Sequence, residues 1–231
     1  MKKGAYILAM VVLVSTAFIC WRLQQAWAQR MQEHEVTANE DLMREHGLIN
    51  RILLIYERIS SMVQNDEPVP FALLEQSASL VRDFVENYHE RLEEQYVFPR
   101  LEKVRKLSTL TCELRRQHDA GRTITQAILI ICGLPELNSI QKNHLITLIS
   151  LFVRMYRAHE AREDTVVFPT FANLLSEQEY EQLGALFEYI EEQHFGEHGF
   201  ERVLAKVEAL EKQLGIYDLS QFTPQLPTSN Q

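Results

Sequence analysis

The sequence predicts an all-α protein, an antiparallel up-down-up-down four-helix bundle with an N-terminal transmembrane helix and an additional C-terminal helix. Three observations predict it. From Thr37 onward, apolar residues recur at helical spacing in long stretches separated by short turn signals. The 231 residues include only 8 Gly and 7 Pro, and most of the prolines stand near helix boundaries or in the tail. No stretch alternates apolar and polar side chains as a half-buried strand would.

Residues 1–30 read as a signal anchor. Lys2 and Lys3 precede an uncharged run from Gly4 to Trp21. As a helix that run would extend roughly 27 Å, close to the hydrocarbon thickness of a bilayer. Charge at the extreme N-terminus directs that end inside and places the main domain in the periplasm, although Arg22 and Arg30 flank the other side. The competing reading is a cleaved signal peptide with Ala26-Trp27-Ala28 as the processing site and a domain released to the periplasm. Arg22 and the polar Leu23-Gln24-Gln25, lying between the run and that site, favour the anchor. Ala-Phe-Ile-Cys around Cys20 lacks the small residues expected before a lipidated cysteine.

The helical domain occupies residues 31–216. A first helix is expected from Asn39 to Gln64, with Leu42, Ile49, Ile52, Leu53, Tyr56 and Ile59 on its buried side, and Asn65-Asp66-Glu67-Pro68 as the turn after it. The second covers Pro70 to Leu107, bent or interrupted at Pro99. The third runs from Thr109 to Cys132 and stops at Gly133-Leu134-Pro135. Asn138 caps a fourth, which reaches Phe168-Pro169. Ser176 with Glu179 forms a capping box that opens a last segment to Leu214, weakened at Gly196 and Gly199. Residues 217–231 form a polar tail, extended or disordered.

A net charge of -9 excludes a nucleic-acid binder, since no basic stripe is present to neutralise phosphates. Cys112 and Cys132 fit neither a disulfide framework nor a Cys-x-x-Cys site and read as packing residues.

Two blocks repeat. His89-Glu90-Arg91-Leu92-Glu93-Glu94 leads to Phe98-Pro99, and His159-Glu160-Ala161-Arg162-Glu163-Asp164 leads to Phe168-Pro169 at the same offset. Each is preceded by a single histidine on the helix before it, His46 in Glu45-His46-Gly47 and His118 in Gln117-His118-Asp119. Two hairpins related by a pseudo-two-fold axis would bring both sets together at mid-bundle. Residues four apart share a helix face, so His89 and Glu93 point together, as do His159 and Glu163. Burying two unpaired carboxylates costs several kcal/mol each, and a cation removes that cost. Imidazole with carboxylate, without thiolate, is a ligand set for iron, manganese or zinc. One His-x-x-x-Glu alone would read better as a surface ion pair; two copies with matched flanks do not.

These residues resemble the hemerythrin-like (HHE cation-binding) domain family over about Asn39 to Phe171, extending toward Leu214. The resemblance implies two iron ions joined by an oxo or hydroxo bridge, with manganese or zinc as alternatives. It implies His46, His89, His118 and His159 as terminal ligands, and Glu93 and Glu163 as bridges. The departure is Arg122, which stands one turn after His118 where oxygen carriers place a second histidine, and a guanidinium cannot ligate a metal. The second bridging acid also follows its histidine by four residues rather than five. Four imidazoles, two bridging carboxylates and a shared oxygen bridge leave about two of roughly twelve positions open or water-filled. Glu90 and Glu160 are candidates to fill them, and Arg122 to bind a carboxylate or an anionic ligand; its plainer role is a surface charge. Tyr56, Tyr88 and Tyr156 read as core residues near the site. Glu191, Glu192, His194, Glu197 and His198 form an acidic cluster, read first as a solvated face and second as a cap or cation site. His34 is expected in solvent, and His144 in solvent or against a neighbouring helix.

Two functions stay open at this level. One is binding or sensing of a small ligand (dioxygen, nitric oxide or iron itself), with a separate redox or signalling partner reading the state. The other is a di-iron redox enzyme acting on peroxide or nitric oxide. No electron-donor motif is visible, which favours binding.

Overall fold

The protein is described here from a computed structural model, in which residue 22 and residues 37–224 are placed. The apolar run Gly4–Trp21, Cys20, His34 and the tail beyond Pro224 lie outside the described residues. Among those described, no helix is long and apolar enough to cross a membrane, and there is no strand.

Four long helices form the body. α1 is Ala38–Gln64, α2 spans 71–103, α3 is Ser108–Cys132 and α4 spans 139–172. α1 packs on α2 and α4, and α3 packs on the same two, which closes a four-membered ring. Short links between consecutive helices make them antiparallel. α1 starts where Thr37 accepts the Glu40 backbone N–H while the Glu40 carboxylate accepts that of Thr37. Asn138 and Gln141 repeat the device at the start of α4. The predicted inner face of α1 is the buried one, with Leu42, Ile49, Ile52, Leu53, Tyr56 and Ile59 all enclosed. Cys112, by contrast, is exposed and Cys132 only half-buried, so the first is no packing residue.

Pro99 does not interrupt α2. Its ring lacks a donor and would clash with the carbonyl four residues back. The helix answers by widening to a π turn over Glu93–Val97, in which the Phe98 N–H donates to the Glu93 carbonyl. Pro169 has the same effect in α4, where Glu163–Val167 is a π turn and the Phe168 N–H donates to the Glu163 carbonyl. Such turns are rare and concentrate at functional sites. These two each begin at a Glu of the repeated blocks, and a further π stretch, Val81–His89, precedes the first of them in α2.

The last segment is two helices rather than one. α5 is Glu177–Phe195 and α6 is Gly199–Gln213. Gly196 adopts φ +79°, a left-handed conformation that ends α5. α5 and α6 pack on each other and on α1, and α6 also touches the start of α2, so one face of the bundle is covered. The acidic cluster is thereby dispersed. Glu191 is buried and accepts the Phe200 N–H at 3.0 Å, which caps α6, while His194, Glu197 and His198 face solvent. His144 is exposed as expected.

Candidate metal centre

Each of the four bundle helices contributes to one buried centre. His46 comes from α1, His89 and Glu93 from α2, His118 from α3, and His159 and Glu163 from α4; all are nearly or fully enclosed. Their donor atoms form two groups, His46-His89-Glu93-Glu163 and Glu93-His118-His159-Glu163, which share both carboxylates. In the first, Nε2 of His46 and His89 are 3.1 Å apart; in the second, Nε2 of His118 and His159 are 3.2 Å apart. Glu163 lies 3.5 Å from His46 and 3.0 Å from His159. Glu93 lies 3.7 Å from His89 and 3.4 Å from His118.

The other ring nitrogens fix which atom carries the proton. His46 Nδ1 meets Asp164 at 2.7 Å and His89 Nδ1 meets Glu45 at 2.6 Å. His118 Nδ1 meets Glu94 at 3.0 Å and His159 Nδ1 meets the Gln117 side-chain oxygen at 2.9 Å. Since these oxygens accept, each Nδ1 donates, and each Nε2 directs a lone pair inward. Two lone pairs facing each other at 3.1 Å repel unless a cation or a proton lies between them. The carboxylates are in the same position. All four oxygens of Glu93 and Glu163 are buried without a hydrogen bond, an arrangement that is costly in a protein interior. Ligands about 2.1 Å from one cation stand roughly 3.0–3.4 Å apart, close to the 3.0–3.7 Å between these donors, so each group could take a metal with small adjustments.

The chain's repeat extends outward from the ligands. The residue before each lone histidine (Glu45, Gln117) holds the histidine of the next helix, and the residue after each shared carboxylate (Glu94, Asp164) holds a lone histidine. Phe168 stacks on His46 with ring centroids 5.4 Å apart, and Phe98 stacks on His118 at 5.7 Å. These Nδ1 partners are functional residues that the sequence reading passed over. Their signal was present, as side chains adjacent to each ligand in both repeats.

Residues 37–171 match the hemerythrin HHE cation binding domain. The chain belongs to this family. Three uncharacterized proteins, one from Mycobacterium bovis and two from strains of Mycobacterium tuberculosis, are each 47% identical to it over 194 residues, covering 84% of this chain and 76% of theirs. No solved structure gives a significant match. Membership implies cation binding, and the two His/Glu groups of this hemerythrin-like bundle could hold a metal ion.

Glu160 and Arg122 lie in no such group, whereas Glu90 falls in a further, smaller one with Glu94 and His118, outside the two that share Glu93 and Glu163. Glu90 accepts from the Tyr156 hydroxyl and lies 2.6 Å from Arg122 Nη2, which also reaches Glu94 at 2.7 Å. Arg122 thus serves the surrounding acids and touches neither shared carboxylate. Glu160 accepts from Asn50 Nδ2. Asn50 stands one turn after His46 as Arg122 stands one turn after His118. Gly121 makes room for the tyrosine, since a Cβ there would meet the Tyr156 hydroxyl at 2.7 Å. Tyr56 and Tyr88 are buried in the core.

In the hemerythrin-like bundle without metal, protons stand in for cations. Burial raises Glu93 well above the carboxylate range, and the charges of Glu163 and Glu90 push it further. Burial acts on Glu163 in the same direction, but His159 and His46 hold it well below that range. For His46, burial disfavours the charge, yet Asp164 and Glu163 overcome it and lift the imidazole to about 10. Burial and the His46 charge push His89 well down. Burial also lifts Glu45 to about 7 and Glu160 to about 8.

Proposed function

We propose that the chain is a non-haem di-iron binding protein whose centre binds or senses a small ligand, dioxygen, nitric oxide or iron itself. The observation that carries this reading is the pair of shared carboxylates, Glu93 and Glu163, with four buried oxygens lacking any hydrogen bond and four imidazole Nε2 atoms around them. His46, His89, His118 and His159 would be terminal ligands and Glu93 and Glu163 bridges. Imidazole and carboxylate donors without thiolate suit iron or manganese better than a structural zinc. A bound iron pair supplies exchangeable coordination positions and one-electron chemistry. The protein's residues orient the imidazoles, exclude water and hold protons at Tyr156 and Glu90 beside the site.

Each metal position would be held by two imidazoles and the two shared carboxylates, short of six ligands, which would leave room for an exogenous ligand. Arg122 in place of a fifth imidazole, its Nη2 drawn to Glu90 and Glu94, favours a response to a small ligand over simple oxygen carriage. The same openness supports the second reading, a redox enzyme acting on peroxide or nitric oxide. The domain plan goes with these proposals: an anchor in residues 1–30, the bundle in 31–216 facing the periplasm, and a partner that reads or supplies electrons. The test is to load the full chain with iron and follow its visible absorption on reduction and on exposure to dioxygen, nitric oxide and peroxide. A ligand-dependent band that returns reversibly is the expected result. Catalytic consumption of peroxide or nitric oxide over many turnovers would move the assignment to the enzyme.

A further inference from the structure

The two metal positions are matched in their ligands but not in what stands behind them. Around the first, both imidazoles donate Nδ1–H to carboxylates, His46 to Asp164 at 2.7 Å and His89 to Glu45 at 2.6 Å. With cations present, the Glu160 carboxylate adds a third negative charge beside His46 and is held by the neutral Asn50 amide. Arg44, the cation on this side, is matched by Asp41 at 2.8 Å and Glu191 at 3.9 Å. Around the second, His159 donates to the neutral Gln117 amide at 2.9 Å. His118 donates to Glu94 Oε1, but Arg122 Nη2 shares that same oxygen at 2.7 Å. Arg122 also lies 2.6 Å from Glu90, the counterpart of Glu160. Every outer partner of the first position is therefore a less compensated anion than its pseudo-symmetric counterpart.

A carboxylate behind a ligating imidazole raises the basicity of the metal-facing nitrogen, while an amide or a neutralised carboxylate does so less; changes of this kind typically alter metal affinity by about 10–100-fold. We infer that the two positions are built unequal: His46 and His89 define a tight, resident metal position, and His118 and His159 define a weaker one at which metal exchanges. Glu45 and Gln117 are the positioning residues that set the difference. This inference rests on the di-metal reading above. It assigns reversible iron uptake to one end of the centre.

The test is anaerobic titration of the full metal-free chain with Fe(II) against a chromophoric chelator, for the wild type, Glu45→Gln and Gln117→Glu. Both substitutions are near-isosteric and lie outside the ligand set, so the fold is kept. A symmetric pair would also load in two steps, because the first cation neutralises the shared carboxylates; the variants decide. Glu45→Gln is expected to weaken the first, tighter step by about 10-fold or more. Gln117→Glu is expected to tighten the second step by about 10-fold and narrow the gap. If Glu45→Gln leaves the first step unchanged and weakens only the second, or if Gln117→Glu tightens the first, the inference is overturned while the di-metal reading stands. A wild-type chain that takes up no iron, or a single ion, overturns both.

Discussion

Glu93→Gln and Glu163→Gln are each expected to reduce metal content from the proposed two ions per chain to below one, yet to shift the stability of the metal-free chain in opposite directions. Both carboxylates are shared by the two donor groups, so losing either one removes a ligand from both positions. The stability effects diverge because the two acids differ without metal. Glu93 is held neutral by burial and by the nearby Glu163 and Glu90, with no hydrogen bond at either oxygen. Replacing it removes an acid that the interior tolerates poorly, and the metal-free chain gains on the order of 1–2 kcal/mol. Glu163 is held ionised by His159 and His46. Its removal leaves a buried imidazolium with Asp164 as its near partner, at a cost of about 3–5 kcal/mol. Thermal denaturation of both variants with chelator present checks the signs. A shift of the same sign in both would contradict this account of the centre, and unchanged metal content in either would remove that residue from the bridging role.

Removing metal also makes stability strongly pH-dependent. Glu93 is pushed up by burial and by its acidic neighbours, and burial lifts Glu160 to about 8 and Asp41, Glu45 and Glu191 to about 7. For acids whose folded pKa exceeds the unfolded value, the folded state binds more protons between the two values, so stability falls as pH rises through that window. His46, lifted to about 10, adds the same sign, with its stabilisation present below the unfolded histidine value and lost toward pH 10. Glu94, taken to about 2 because His118 and Arg122 outweigh burial, acts oppositely, but only as pH falls below the ordinary carboxylate value. The metal-free chain should therefore be most stable near pH 5 and lose on the order of 10 °C in Tm by pH 8.5. A metal pair supplies the positive charge that keeps these acids ionised, so the loaded chain should vary by only a few degrees across the range. Equal pH profiles for the two forms would contradict the link between the buried acids and the cation site.

The helices and the six ligand candidates were legible because both leave periodic traces. Apolar spacing marked the buried face of α1, and the four-residue offset put each Glu on its histidine's face. The Phe-Pro pairs were legible as a repeat but not as structure. Local rules treat a mid-helix proline as a break, whereas here a π turn absorbs it and Phe98 and Phe168 become walls against the lone histidines. The Nδ1 partners were missed for a different reason. Glu45 and Gln117 serve a histidine on the neighbouring helix, and Glu94 and Asp164 serve one across the hairpins, so only tertiary packing assigns them. The first reading of the C-terminal cluster, a solvated face, holds for His194, Glu197 and His198, and the weak point at Gly196 is a break between two helices. That break turns Glu191 into a cap and leaves its companions in solvent.

The most direct test is the metal content of the full chain, purified without added chelator and measured by elemental analysis together with an iron-specific spectroscopy. Two irons per chain in a coupled pair, lost together in Glu93→Gln, is the predicted result. One zinc per chain, or no metal in a chain that keeps its helical content and a flat pH profile, would contradict it.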